Sequence, residues 1–135
     1  MAEADARYSR DRLELRGQFA HVSIENADQL NDLGLLRTGV SPNVARALRG
    51  FYLEGGYRVI SGARFGDLGV FARYENVDTQ FRMPAGYLPL EEFDRDAWVM
   101  GLTLWPDPDV AIKFDYTILR NRSPFAAPNV VSAGL

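Results

Sequence analysis

The sequence predicts an all-β fold, an antiparallel up-and-down meander of about six strands with short helices in its first long loop. Three observations carry this expectation. In the stretch "VAIKFDYTIL", Val110, Ile112, Phe114, Tyr116 and Ile118 alternate with Ala111, Lys113, Asp115, Thr117 and Leu119. Successive side chains of an extended strand point to opposite sides, so this stretch has one oily and one ionic face. The same period of two recurs along the chain, and the connections between the periodic stretches alternate between long and short.

Taken in order, Asp11 to Ile24 holds a first strand, with Leu13, Leu15 and Phe19 against Glu14, Arg16 and Gln18. Beyond Ala20 the apolar phase moves to Val22 and Ile24, consistent with a bulge or with a strand leaving its buried zone. "ENADQLNDLG" reads as a short helix capped by Asn26 and stopped by Gly34. "SPNVARALRG" reads as a second, capped by Ser41, with Pro42 at its first position and Gly50 at its end. Phe51 to Val59 alternates again, and "ISGARFGD" turns the chain. Leu68, Val70, Ala72 and Tyr74 then face away from Gly69, Phe71, Arg73 and Glu75, leaving Phe71 as a large apolar residue on the ionic side. A loop from Asp78 to Arg95 precedes a strand in which Trp98, Met100, Leu102 and Leu104 share a face; "WPDPD" turns tightly into Val110–Leu119. After "RNRSPFAAP" a last apolar piece, "NVVSAGL", begins a sixth strand. The expected connections, 25–49, 61–66, 78–94, 106–108 and 120–128, put all longer loops at one end of the meander and all tight turns at the other.

The 135 residues suit a single unit, and a hydrophobic content of 47% is ordinary. Fifteen Lys and Arg against eighteen Asp and Glu, interspersed, give a net charge of −3. That balance argues against nucleic acid as a partner, because phosphate neutralisation needs a clustered basic surface. With no cysteine, disulfides, thiol catalysis and Cys-based zinc sites are excluded together. No stretch approaches the ~18 consecutive apolar residues of a membrane-spanning helix. The first seventeen residues lack the apolar segment of a secretory signal, so this chain taken as complete would stay in the cytoplasm. Strand-built membrane barrels escape both tests, because their hydropathy signal has a period of two.

Water cannot be the solvent of the oily face, since each Leu, Ile, Val or Phe left unburied forfeits about 1.5–3 kcal/mol. Strands of about 11 residues, at ~3.3 Å per residue and a tilt near 45°, climb roughly 25 Å, the height of the apolar band of a membrane barrel. Tyr74, Trp98 and Tyr116 towards the long-loop end, and Trp105 at the turn end, are read as membrane-interface aromatics on the oily face. On the other face Glu54, Arg58, Arg73, Glu75, Lys113 and Asp115 lie among small residues, as along a water-filled lumen and solute path. The alternative is a soluble β-rich ligand-binding module in which the helices cover the oily face and the ionic residues pair across strands. Six strands are too few to close around a lumen, which takes about eight.

"LELRGQFAHV", "GFYLEGGYRV", "LGVFARYENVDTQ" with "MPAGY", and above all "DRDAWVMGLTLWPDPDVAIKFDY" resemble the carboxy-terminal strands of bacterial outer-membrane porins of the phosphate-selective porin O and P type. The resemblance runs from about Leu13 to Asn121. It implies part of a transmembrane β-barrel in the cell outer membrane, in contact with lipid and with the remaining strands of a parent porin. That parent would pass small hydrophilic solutes or anions by passive diffusion, commonly as a trimer, with Trp105–Asp109 as a periplasmic turn and Asp78–Arg95 outside the cell. Such porins carry a signal peptide, more strands before this region, and a terminal aromatic. None is present here, so residues 1–135 read as one incomplete barrel segment cut at both ends. The family's anion-binding arginine and lysine ladder lies largely outside the matched part, so phosphate selectivity is not carried over.

Nothing in the sequence points to an enzyme, a metal or a cofactor. His21 is the single histidine and stands without cysteine. Glu91, Glu92, Asp94 and Asp96 in "EEFDRD" lack the spacing of a calcium loop, and "GARFGDLG" lacks the Lys-Ser/Thr and helix of a phosphate cradle.

Overall fold

Burial alternates along the strands, and it is the ionic side that is better shielded. On one and the same strand Ala97, Val99 and Thr103 are 4–5% exposed, while Trp98, Met100 and Leu102 on the opposite face are 44–47% exposed. On the ionic side large side chains such as Phe71 and Trp105 lie over small neighbours such as Gly101 and Gly69, which shields that face. The computed structural model describes residues 1–123 and 130–134.

Seven strands form one antiparallel sheet in sequence order. They are β1 (Ala2–Arg10), β2 (Leu13–Ser23), β3 (Ala47–Ala63), β4 (Gly66–Arg82), β5 (Asp94–Asp107), β6 (Val110–Asn121) and β7 (Val130–Gly134). The meander is therefore one strand longer than expected. β1 pairs with β2 over its whole length, from Ala2 opposite His21 to Arg10 opposite Leu13. Its outward residues include Ala2, Ala4 and Ala6, too small to register as an apolar run. The sheet is open, and among the described residues β1 and β7 each have a neighbour on one side only.

Tight turns at Asp11–Arg12, Arg64–Phe65 and Pro108–Asp109 lie at one end, and the longer β2–β3 and β4–β5 connections lie at the other. Asp11 takes the left-handed conformation (φ 54°) that its short polar side chain tolerates. At the β3–β4 turn Gly66 has φ 105°, and a Cβ there would overlap the Trp105 carbonyl oxygen. Phe71, the large residue on the ionic face, lies against Gly101, where an added Cβ would come within 2.7 Å of the ring. The missing side chain makes room for the ring.

The long-loop end holds one helix, α1 (Ala27–Thr38), and a single 3-10 turn at Glu91–Phe93. The expected helix at 42–49 does not form. Arg46 N–H instead donates to the Arg82 carbonyl and Arg46 O accepts from Ile24 N–H, and Ala47–Gly50 continue as strand between β2 and β4. Backbone pairing on both sides overrides the Ser-Pro start signal. Gly34 does not end α1 either; it lets Pro42 approach so closely that a Cβ would overlap the ring, and the helix runs on to Gly39, whose left-handed N–H caps Leu35 O at 2.9 Å. Asn26 stands at the cap position but makes no side-chain capping bond.

Asn31, wholly buried, anchors α1. Its Nδ2 donates to Val44 O at 2.9 Å and its Oδ1 accepts from Val44 N–H at 2.6 Å. Arg46 pairs with Asp28 at 3.2 Å. The Tyr87 hydroxyl of the β4–β5 loop donates to Asp32 Oδ1 at 2.9 Å, and that bond raises the phenol's pKa above its ordinary value. A raised phenol pKa means the contact is complete below about pH 10 and is lost as pH climbs through the folded value. Limited proteolysis between about pH 8 and 11 is expected to show the 83–90 loop opening at the alkaline end, and Tyr87→Phe is expected to remove that pH step. An alkaline step that survives in Tyr87→Phe would show that another group is responsible.

Candidate functional site

The ionic face assembles its charges row by row through the strand register. Arg7, Arg16, Glu54 and Arg73 lie side by side across β1 to β4. One row nearer the turns come Glu14, Gly56, Phe71, Gly101 and Asp115, and next Arg58, Gly69, Thr103 and Lys113. Glycines alternate with the charges at this level, and the rings of Phe71 and Trp105 lie against Gly101 and Gly69. A cleft of about 190 Å³ is bounded there by Arg16, Glu54, Arg58, Trp105 and Lys113.

All six expected path-lining residues, Glu54, Arg58, Arg73, Glu75, Lys113 and Asp115, fall on this face, but their pairing differs from strand-to-strand expectation. Arg73 is held between Glu75 (Nε–Oε2 3.3 Å) and Glu54 (Nη1–Oε2 4.0 Å), and its guanidinium stands 5.7 Å from the Tyr52 ring. Its solvent-shielded Nε makes no hydrogen bond, so the Glu75 contact is ionic rather than directional. Arg58 is not paired with Glu54. Its Nη1 donates to Asp67 Oδ2 at 3.0 Å, and Asp67 Oδ1 in turn accepts from Gly62 N–H at 2.7 Å. Lys113 and Asp115 form no ion pair among the described residues; the Lys113 ammonium lies 6.0 Å from the Phe71 ring. Such cation–ring contacts hold a charge in place without neutralising it.

Sequence reasoning missed a further group on the same face. Glu14 accepts from Arg16 at 2.8 Å and pairs with Arg7 at 2.7 Å, bridging β1 and β2. Alternation alone places these three residues on the ionic side, but Arg7 is found only once β1 is recognised as a strand.

Among the described residues nothing covers the oily face: Leu53 is 63% and Phe114 55% exposed, and α1 does not pack over them. Rows of like character cross the sheet: Leu13, Tyr57, Val70, Leu102 and Phe114 form one, and Leu53, Tyr74, Trp98 and Ile118 another. Tyr74 lies 5.0 Å from Trp98 and 5.9 Å from Phe51, ring to ring, and its hydroxyl donates to Asp96 Oδ1 at 2.7 Å. Immediately beyond this aromatic group the face turns polar. Asn76 donates to Asp94 and Asp96, and Asp94 pairs with Arg122 at 2.8 Å. The "EEFDRD" carboxylates at 94 and 96 are thus engaged with neighbouring side chains.

Two aromatics are placed differently from expectation. Trp105 lies on the ionic face, because it follows Thr103 in phase; its ring covers Gly69, and the Arg58 guanidinium stands 5.3 Å from it. Tyr116 does face outward, but mid-strand opposite Met100, one row deeper than the aromatic border. Nearer the turn end the outward aromatics of the strands are Tyr8 and Tyr57, each half exposed. His21 stacks edge-on against Phe81 at 6.2 Å, and the Arg49 guanidinium sits 4.0 Å from the same ring.

Among the described residues no helix is long and apolar enough to cross a membrane, which says nothing about strands. No family model matches the chain, and no solved structure matches it. An uncharacterized protein of Aquifex aeolicus (strain VF5) is 33% identical over 72 residues, which is 53% of this chain and 16% of that protein. The chain therefore spans only a small part of the relative it matches.

Proposed function

We propose that this chain is a wall segment of an outer-membrane porin, with its oily face against lipid and its ionic face lining a water-filled path for small hydrophilic solutes or anions. The observation that carries this reading is the exposed apolar band, bordered by Phe51, Tyr74 and Trp98 where the face turns polar, opposite a better-shielded ionic face. The stretch from Val110 to Ile118 matches the ~9–11 residues of a tilted membrane-crossing strand. On the inner side Arg58, Arg73 and Lys113 stay positioned by carboxylates or rings, so a passing solute meets fixed charges of both signs. The lipid, the parent's other strands and a trimeric state belong to the same proposal, as does the outer membrane as its location. No catalytic chemistry enters it.

The two tryptophans provide a direct test, since the structure puts one on each face. In vesicles of brominated phosphatidylcholine, Trp105→Phe, which leaves Trp98, is expected to lose several-fold in fluorescence. Trp98→Phe, which leaves Trp105, is expected to respond weakly to bromine and strongly to aqueous iodide. Trp98 emission insensitive to brominated lipid would sink the proposal.

A further inference from the structure

We propose that His21, Ser23 and Arg49, grouped round the Phe81 ring on the outward face, hold the phosphate of an anionic lipid headgroup in the leaflet at the long-loop end. The site rests on the lipid-facing reading above and adds to it a contact with one chemical group of the lipid.

The end of the apolar band fixes the level. On the outward face Phe19 pairs with Phe51; one outward position further along each strand, about 7 Å nearer the long loops, His21 pairs with Arg49. Ser23 follows opposite Ala47. β2 and β3 keep one register throughout this stretch, so the move of the apolar residues to Val22 and Ile24 marks where the oily side ends and not a bulge between the two strands. Lipid headgroups lie at this level of a bilayer, immediately beyond the aromatic border.

A bulge in β4 builds the platform. Between Asp78, opposite Arg49, and Arg82, opposite Ala47, the residues Thr79, Gln80 and Phe81 face the single Leu48. Such an insertion re-aims side chains. Gln80 turns into the loops, where its Nε2 donates to Asn43 O at 3.0 Å and its Oε1 accepts from Leu90 N–H at 2.7 Å. Phe81 is brought to the outward side, where its ring meets His21 edge-on at 6.2 Å and carries the Arg49 guanidinium at 4.0 Å. The Ser23 hydroxyl stands 3.4 Å from His21 Nε2.

The positive charge at this place is not spent within the chain. Among the described residues Arg49 forms no ion pair; Asp78, directly opposite it, accepts from Gln80 N–H at 2.9 Å instead. A guanidinium laid on a ring keeps the N–H donors of its edge free, and that edge matches two oxygens of a phosphate. An imidazole and a hydroxyl beside it supply donors for a third oxygen. On the β4–β5 side of the same border the carboxylates of Asp94 and Asp96 gather round Asn76, which disfavours an anion there.

The single histidine reports on the site. With the chain in maltoside micelles at constant pH, dihexanoyl phosphatidic acid is expected to shift the His21 ring resonances saturably. Arg49→Gln, at an exposed position, is expected to weaken that binding about tenfold, and Arg49→Lys, which keeps the charge without the two-pronged edge, to fall between. Arg120→Gln, opposite Asp96 on the far side of the border, should leave it unchanged. The proposal is overturned by the absence of a saturable shift, by an equal shift from decanoate, which has charge but no phosphate, or by undiminished affinity in Arg49→Gln. Inorganic phosphate binding as tightly as the lipid would overturn it too, by making this a site for the free anion. A failed titration beside lipid-quenched Trp98 removes the headgroup site alone, whereas Trp98 unresponsive to brominated lipid removes the wall reading and the lipid occupant with it.

Discussion

Gly66→Ala is expected to destabilise the sheet by roughly 3–5 kcal/mol, combining left-handed strain with overpacking. The residue has φ 105°, and its new methyl would enter the space of the Trp105 carbonyl and approach Pro106 Cα at 2.7 Å. Both obstacles are backbone, so no side-chain rotation relieves them. The β3–β4 turn would have to move away from the end of β5. Gly86→Ala separates strain from collision, since Gly86 has φ 86° with nothing near its missing Cβ. It should cost only about 1–2 kcal/mol. Urea titrations of the two variants in detergent, followed by far-ultraviolet circular dichroism, give the comparison. Equal midpoints would show that the Trp105 contact does not constrain the turn.

Asn31→Leu is the second large effect and should be local. The side chain is fully buried and satisfies both the N–H and the C=O of Val44, much as a neighbouring strand would. Replacing it leaves two shielded backbone groups without partners, at about 1–3 kcal/mol each. Because α1 is held chiefly through residues 41–46, the helix is expected to detach while β2 to β6 stay paired. Helical dichroism should fall and cleavage between Ile24 and Arg46 should rise, with little change in the urea midpoint of the sheet. Asn31→Asp keeps the acceptor for Val44 N–H and should recover part of the loss. Collapse of the whole sheet in Asn31→Leu would contradict the local account.

The strands legible in the sequence are those whose outward residues are large. β3 to β6 follow from Leu53, Tyr57, Val70, Trp98, Leu102 and Phe114, because bulky side chains repeating every second residue share one face of a strand but scatter around a helix. β1 is not legible in this way, since alanine alternating with charge resembles a solvated tail or helix as much as a strand. The expected second helix fails for the opposite reason: Ser41 and Pro42 are a sound local start signal, but Ala45 and Ala47 are buried and Arg46 is paired on both sides, and tertiary pairing prevails. On the ionic face, alternation suffices to place Glu54, Arg58, Arg73, Glu75, Lys113 and Asp115. Their partners are not legible, because the Arg58–Asp67 and Glu14–Arg7 contacts depend on register and turn geometry. Trp105 reads as outward because it is an amphipathic aromatic at the turn end of its strand, although its phase with Thr103 puts it on the ionic side.

The alternation of tight and long connections also bears on how fast the sheet assembles. Strands joined at Asp11–Arg12, Arg64–Phe65 and Pro108–Asp109 meet after fixing almost no intervening chain, whereas β2 and β3 must first gather Ile24–Arg46. Loop closure penalties grow by about 0.6 kcal/mol per doubling, so a tenfold longer segment adds roughly 2 kcal/mol. Three hairpins should therefore zip as early, independent nuclei, and their docking onto one another should set the slow phase of refolding.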